Sequence, residues 1–210
     1  MRTRALLAAW MLLAGAGFRG DSASDIVERL QHKYDSLRDV SVTFTQHVVF
    51  GVTKAEQTFS GTFAMKKGNK YRIDMDQQTI VSDGRTLWSY VKANRQVVID
   101  CYTDDPKSFS PDRLFVNIPK NYSATVLGQE EIDRRPATMV KLIPNDKQSN
   151  LLWLKIWVDT GEWLMRKIQL LDSGENLTTY SISAIRWNAG VPDSLFRFTA
   201  PDSVDVVDLR

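Results

Sequence analysis

The stretch LLWLKIWVDTGEWLMRKIQLL, residues 151–171, holds two apolar runs joined by Asp159-Thr160-Gly161-Glu162. Asp and Gly at so short a joint predict a turn, which makes Leu151–Val158 and Trp163–Leu171 antiparallel neighbours. Successive side chains on a strand point to opposite faces. In the first run Leu152, Leu154, Ile156 and Val158 share one face, and Leu151, Trp153 and Trp157 the other. In the second, Leu164, Ile168 and Leu170 oppose Trp163, Met165 and Leu171. A sheet wetted on one side would alternate apolar with polar residues, so both faces of this hairpin need cover. Either a sandwich or helix-covered sheet has a filled core, or a curled sheet lines an apolar cavity with helices as its lid. The pattern leaves both open.

Outward from this hairpin the same period of two recurs. Val42, Phe44, Gln46 and Val48 alternate with polar residues, as do Phe59, Gly61, Phe63 and Met65, and then Tyr71, Ile73 and Met75. Thr79–Ser82, Thr86–Val91 and Gln96–Cys101 follow across short joints at Lys67-Gly68-Asn69, Asp83-Gly84-Arg85 and Lys92-Ala93-Asn94. Ser123–Leu127, Thr138–Ile143 and Leu177–Trp187 complete the long strands, and Phe196-Arg197-Phe198 reads as a short terminal one. About eleven strands in a meander make a mainly β domain rather than a βαβ fold. One helix precedes them: Ile26, Leu30 and Tyr34 form an apolar stripe at helical spacing. Asp25 with Glu28 resembles a capping box there, and Ser22 and Ser24 are further cap candidates. Pro106, Pro111 and Pro119 cluster mid-chain, and Ser110 before Pro111 starts a short helix through about Val116. No repeat or linker divides the chain, so residues 21–210 read as a single domain.

Residues 1–20 read as a secretory signal. Arg2 and Arg4 precede the apolar run ALLAAWMLLAGAG, which is shorter than the roughly 20 residues that cross a bilayer. Cleavage is expected between Gly17 and Ser24. The full chain carries 27 basic and 25 acidic residues; without Arg2, Arg4 and Arg19 the balance is 24 to 25, a net charge of −1. That balance, with scattered basic residues, excludes an electrostatic nucleic-acid binder. Cys101, the only cysteine, allows no internal disulfide and no four-cysteine zinc site. It lies far from the signal, so the exported product is expected to be free of a lipid anchor, and Cys101 itself is expected buried in a strand. His32 and His47 have no ligand spacing, and no nucleophile elbow, phosphate loop or dinucleotide fingerprint occurs. Neither an enzyme nor a cofactor or metal site is indicated.

Several segments resemble one family, the periplasmic outer-membrane lipoprotein carriers (LolA-like). Ser22–Ile26 with Arg29-Leu30 is similar to the family's start, Phe44-Thr45-Gln46 to its F-x-Q strand, and Phe59–Phe63 to its glycine strand. Ile80-Val81-Ser82-Asp83-Gly84-Arg85-Thr86-Leu87-Trp88-Ser89-Tyr90 resembles its most distinctive block, and Phe196–Asp208 its closing segment. The resemblance implies an incomplete antiparallel β-barrel covered by N-terminal and mid-chain helices. It implies a soluble periplasmic monomer that holds lipoprotein acyl chains in an apolar cavity. Cargo would come from an inner-membrane ATP-driven ABC-type release complex and pass to an outer-membrane lipoprotein receptor. Alternatives are a lipid- or lipopeptide-sensing module, a carrier of another lipid, or a β-sandwich interaction protein without ligand.

For single residues the resemblance is less uniform. Aligned from Gly61, Lys67-Gly68 stands where the family has an Arg-Pro pair whose Arg bonds the lid; Lys lacks the guanidinium fork. Lys66 and Arg72 are the alternatives for that latch. Leu30 matches a leucine of the family's first helix, and Tyr71 an aromatic position implicated in cargo handover; both also read as plain core. Phe44, Phe63, Trp88, Tyr90, Trp153 and Trp157 are the remaining cavity or handover candidates, with the inward face unassigned.

Overall fold

The computed structural model describes residues 21–103 and 118–210. The expected signal and the helix expected from Ser110 to Val116 lie outside the described residues. Helix α1 (Ala23–Ser36) is followed by β1 (Asp39–Val49), β2 (Glu56–Lys66), β3 (Lys70–Met75), β4 (Gln78–Asp83), β5 (Thr86–Val91) and β6 (Gln96–Cys101). A single helical turn, α2 (Ile118–Asn121), leads into β7 (Tyr122–Ile132), β8 (Arg135–Pro144), β9 (Leu151–Asp159), β10 (Leu164–Asp172) and β11 (Leu177–Trp187). A 3-10 turn at Asp193–Phe196 and β12 (Asp205–Asp208) follow.

All twelve described strands form one sheet, ordered β12-β6-β5-β4-β3-β2-β1-β11-β10-β9-β8-β7. β7 and β12 remain edges, so the sheet is not closed into a barrel. The chain meanders outward from β1 to β6 and back inward from β7 to β11, and β1 with β11 joins the two halves. Every pairing is antiparallel except β12 on β6, which is parallel. The expected terminal strand at Phe196–Phe198 is therefore corrected: Phe196 ends the 3-10 turn, and the strand forms further on, where Val206 and Val207 lie beside Val97 and Val98.

Register assigns the faces. Phe44 stands opposite Gly61 and Ile182, Phe63 opposite Ile73, Ile73 opposite Ile80, and Ile156 between Val140 and Ile168. These residues share the inner face, which packs into one cluster with Ile26, Val27 and Leu30 of α1 and with Ile118 of α2. Fully burying one such aliphatic side chain stabilises the fold by about 1.5–3 kcal/mol, so α1 is held chiefly by its apolar stripe. Its N-terminus is capped by Ser22, not by the expected pair Asp25 and Glu28. The Ser22 hydroxyl accepts from the Asp25 N–H at 3.2 Å, and the Asp25 carboxylate accepts from the Ser22 N–H at 3.1 Å. Asp25 is the third helical residue, where a capping box places its acid.

The outer face has its own cover on one half of the sheet. Residues 193–198 cross β3 to β5, where Phe196 is buried and Phe198 packs on Tyr90 with ring centres 5.9 Å apart. Beneath them Val81 and Val97 are fully buried. Lys66 and Lys70 both bind the Asp193 carboxylate, at 2.6 and 3.2 Å, and Arg72 reaches the Leu195 carbonyl. Cys101, expected in the interior, is exposed at the end of β6.

Candidate functional site

The inner face of the sheet and α1 lie against each other as apolar surfaces. Leu30 has no exposed surface, and Phe44, Phe63 and Tyr71 are each buried in the same cluster. The structure thus brings together four of the residues singled out in the sequence. Phe44 meets Tyr180 edge-on at 5.9 Å, and Tyr71 meets Tyr102 in the same way at 6.4 Å. Burial pushes the Tyr180 phenol up to about 12, so it stays neutral in this setting. Gly61 explains itself here: a Cβ at that position would come within 2.8 Å of the Phe44 ring and 2.6 Å of the Asp74 carbonyl. The glycine leaves room for the tip of the Phe44 ring against the neighbouring strand.

The remaining aromatic candidates lie elsewhere. Trp88 pairs with Val81 and Ile99, and Tyr90 with Val97, which places both on the outer face, where Tyr90 meets Phe198. Trp153 and Trp157 alternate with Leu154 and Ile156, so they too face outward. Lysine ammonium groups stand over both rings.

Specific polar contacts join α1 to the elements around it. The Met165 N–H donates to the Tyr34 hydroxyl at 3.3 Å, next to an irregularity in the β9–β10 register. Burial pushes the Tyr34 phenol well above its ordinary value. The Arg29 guanidinium lies 5.3 Å from the centre of the Trp163 ring, and Lys33 lies 5.2 Å from that of Trp187. Trp163, expected as a strand residue, belongs to the preceding turn, with a φ of 57° that bulky side chains disfavour. The Ile118 N–H donates to the Gln31 side chain at 3.1 Å, tying α2 to α1. Sequence reading missed Arg29, Tyr34 and Trp163 as a set, because they are joined by distant segments and carry no shared spacing.

The latch candidates divide. Lys67 is exposed on the β2–β3 turn. Arg72 forms a two-pronged pair with Asp74, at 2.6 and 3.0 Å, on the outer face. Burial alone would raise the Asp74 pKa, but Arg72 and the Thr79 hydroxyl outweigh it and hold the carboxyl below its usual range. Between the β2–β3 turn and the C-terminal end of α1 opens a cavity of about 410 Å³. Tyr34, Leu37, Val40 and Met65 give it apolar walls; Arg38, Lys67 and Lys70 stand among its polar lining. The volume lies in the range of small-ligand pockets. Its rim is held by the distinctive sequence block: the Ser82 hydroxyl donates to the Asn69 carbonyl at 2.9 Å, and the Gly84 N–H donates to Ser82 at 3.1 Å. Asp83 accepts from the N–H groups of Arg85 and Thr86. Gly84, at a φ of 91°, packs on the Gly68 carbonyl where a Cβ would stand 2.1 Å away. That block therefore braces one turn with the next.

The amphipathic helix α1 and the inner sheet face thus meet as two apolar surfaces. Along its whole length the chain is 28% identical to the outer-membrane lipoprotein carrier protein of Pasteurella multocida, spanning 97% of that protein. It is 24% identical over 99% of its length to an uncharacterised protein of Methanocaldococcus jannaschii, but spans only 61% of that longer chain. In fold it is similar to an uncharacterised conserved protein of Thermus thermophilus, with a TM-score of 0.58 at 12% identity over 89% of this chain and 98% of that one. The profile of the family described as outer membrane lipoprotein carrier protein LolA matches residues 35–199, so the chain belongs to that family.

Proposed function

We propose that this protein is a periplasmic shuttle, taking up lipoprotein acyl chains between α1 and the inner sheet face and carrying them from the inner to the outer membrane. The observation that supports this reading is the apolar junction itself: Ile26, Val27 and Leu30 share one buried cluster with Phe44, Phe63, Tyr71, Ile156 and Ile168 of the inner sheet face. An acyl chain replacing those contacts leaves water with about 0.8 kcal/mol gained per methylene. Displaced helix and incoming chain are chemically alike, so uptake and release are an exchange of similar contacts. No bond is made or broken, and the carrier needs no catalytic group. The cargo passes from an ATP-driven release complex to a receptor that binds it better. Trp88, Tyr90, Trp153 and Trp157, on the outer face, stand outside this path.

The test is a release assay. Inner-membrane vesicles bearing a labelled lipoprotein are incubated with ATP and the purified protein. Labelled lipoprotein is expected in the soluble fraction, bound to the carrier. If the wild-type protein leaves all of it in the membrane, the shuttle reading fails.

A further inference from the structure

The outer face of β8–β10 carries nine positions that register sets side by side. Lys141, Lys155 and Gln169 form one row across the three strands, and Met139, Trp157 and Lys167 the next. Trp153 and Leu171 pair in the row beyond, and Ile143 lies on the same face two residues from Lys141. Like charges directly opposite on neighbouring strands are destabilising, yet Lys141 faces Lys155. Both turn over the Trp153 ring, at 6.0 and 4.8 Å, and Lys167 lies 4.3 Å from the centre of Trp157. Trp157 is fixed by its indole N–H, which donates to Glu130 at the margin of the patch. None of the nine positions is acidic. Among the described residues, none of the three ammonium groups forms an ion pair. Ile143 is 48% exposed beside them.

Cations held on indole rings, with apolar neighbours and with the Glu130 carboxylate at the margin engaged by the Trp157 indole, match a surface that is negatively charged outside and apolar just beneath. Lysine and tryptophan both suit such a boundary, each with an apolar body and a polar end. We propose that the outer face of β8–β10 is a docking surface for anionic phospholipid membranes, through which the protein rests on a bilayer with its inner face turned away. The contact is separate from the inner-face site and does not depend on what that site holds.

Co-sedimentation with lipid vesicles tests this. The purified protein should pellet with vesicles of equal parts phosphatidylglycerol and phosphatidylcholine, and not with phosphatidylcholine alone. Raising sodium chloride from about 50 to about 500 mM should abolish the binding, since surface charges are then screened. Each lysine near such a surface is worth about fivefold in affinity, so Lys141→Gln/Lys155→Gln/Lys167→Gln should bind about a hundredfold more weakly. The Arg triple variant keeps the charge and should bind as wild type, which separates charge loss from misfolding. Lys54→Gln, on an exposed turn, should have no effect. Equal binding to neutral vesicles would show apolar capture by the interior and overturn the proposal. So would unchanged binding by the Gln triple variant, or capture of an acidic polypeptide with no binding to anionic vesicles.

Discussion

Asp159 shows how one side chain can organise a turn. It ends β9, almost buried, and accepts from the backbone N–H groups of Gly161 and Glu162 as well as from Arg166 and Arg135. Burial by itself would raise its pKa; the Arg166 bond and the two backbone bonds more than offset this and hold the carboxyl below its ordinary range. A carboxyl depressed in the fold stabilises it above the unfolded value, and that contribution is lost as pH falls through the folded one. Asp159→Asn should cost about 2–4 kcal/mol at neutral pH, because Arg166 keeps only Glu162 as its partner. Urea unfolding should also show a smaller loss for the variant than for wild type between about pH 5 and pH 2. The sequence marked Asp159 as a turn residue and no more, since its arginine partners come from two other strands. The Ile80–Tyr90 block was legible as a motif. Its physical task, bracing the Lys67–Asn69 turn through Ser82 and Gly84, was not, because the contact runs between two turns. Cys101 was misread for a related reason: it falls at the last position of β6, where alternation no longer decides burial.

At the scale of elements, the turn between β9 and β10 couples the sheet to α1. Trp163 adopts a left-handed backbone in order to bring its ring beneath Arg29. That conformation costs a side-chain-bearing residue about 1–2 kcal/mol, against a cation–π contact of about 0.5–1 kcal/mol and the burial of the ring. Trp163→Gly and Trp163→Ala lose the same ring, but only the alanine keeps the strain. The glycine variant should therefore be the more stable by about 1 kcal/mol, and in both variants amide hydrogens of α1 should exchange faster than in wild type. Equal stability would mean that the turn relaxes once the ring is gone. Strand positions followed from alternation, and α1 from its stripe at Ile26, Leu30 and Tyr34. The helix start was shifted because Ser22, Ser24 and Asp25 all have cap chemistry, and only geometry separates a cap from the acid that completes it.

For the whole molecule, the two-faced strands have two different explanations. Leu154, Ile156, Ile168 and Leu170 belong to the inner cluster, while Trp153 and Trp157 lie outside beneath lysine ammonium groups. On the other half, the outer residues Val81 and Val97 are covered by the chain's last segment. A sequence states that both faces are apolar; it does not say which cover belongs to which half, since β12 reaches β6 from more than a hundred residues away. Because Phe196 serves the outer cover alone, Phe196→Ala should lower stability by about 3–5 kcal/mol. Lipoprotein release by the fraction still folded should be unchanged, and a parallel loss of release would mean that the two faces are coupled.

The length of α1 bears on how the inner face can open. It has 14 residues, close to the length below which a lone helix is marginal in water. Once lifted from the sheet, it keeps its cap but loses the apolar surface that makes helix favourable over coil. On the proposed uptake route, exposure of the interior and fraying of its cover would be one thermodynamic event, with α1 condensing and melting rather than swinging as a rigid flap on a hinge.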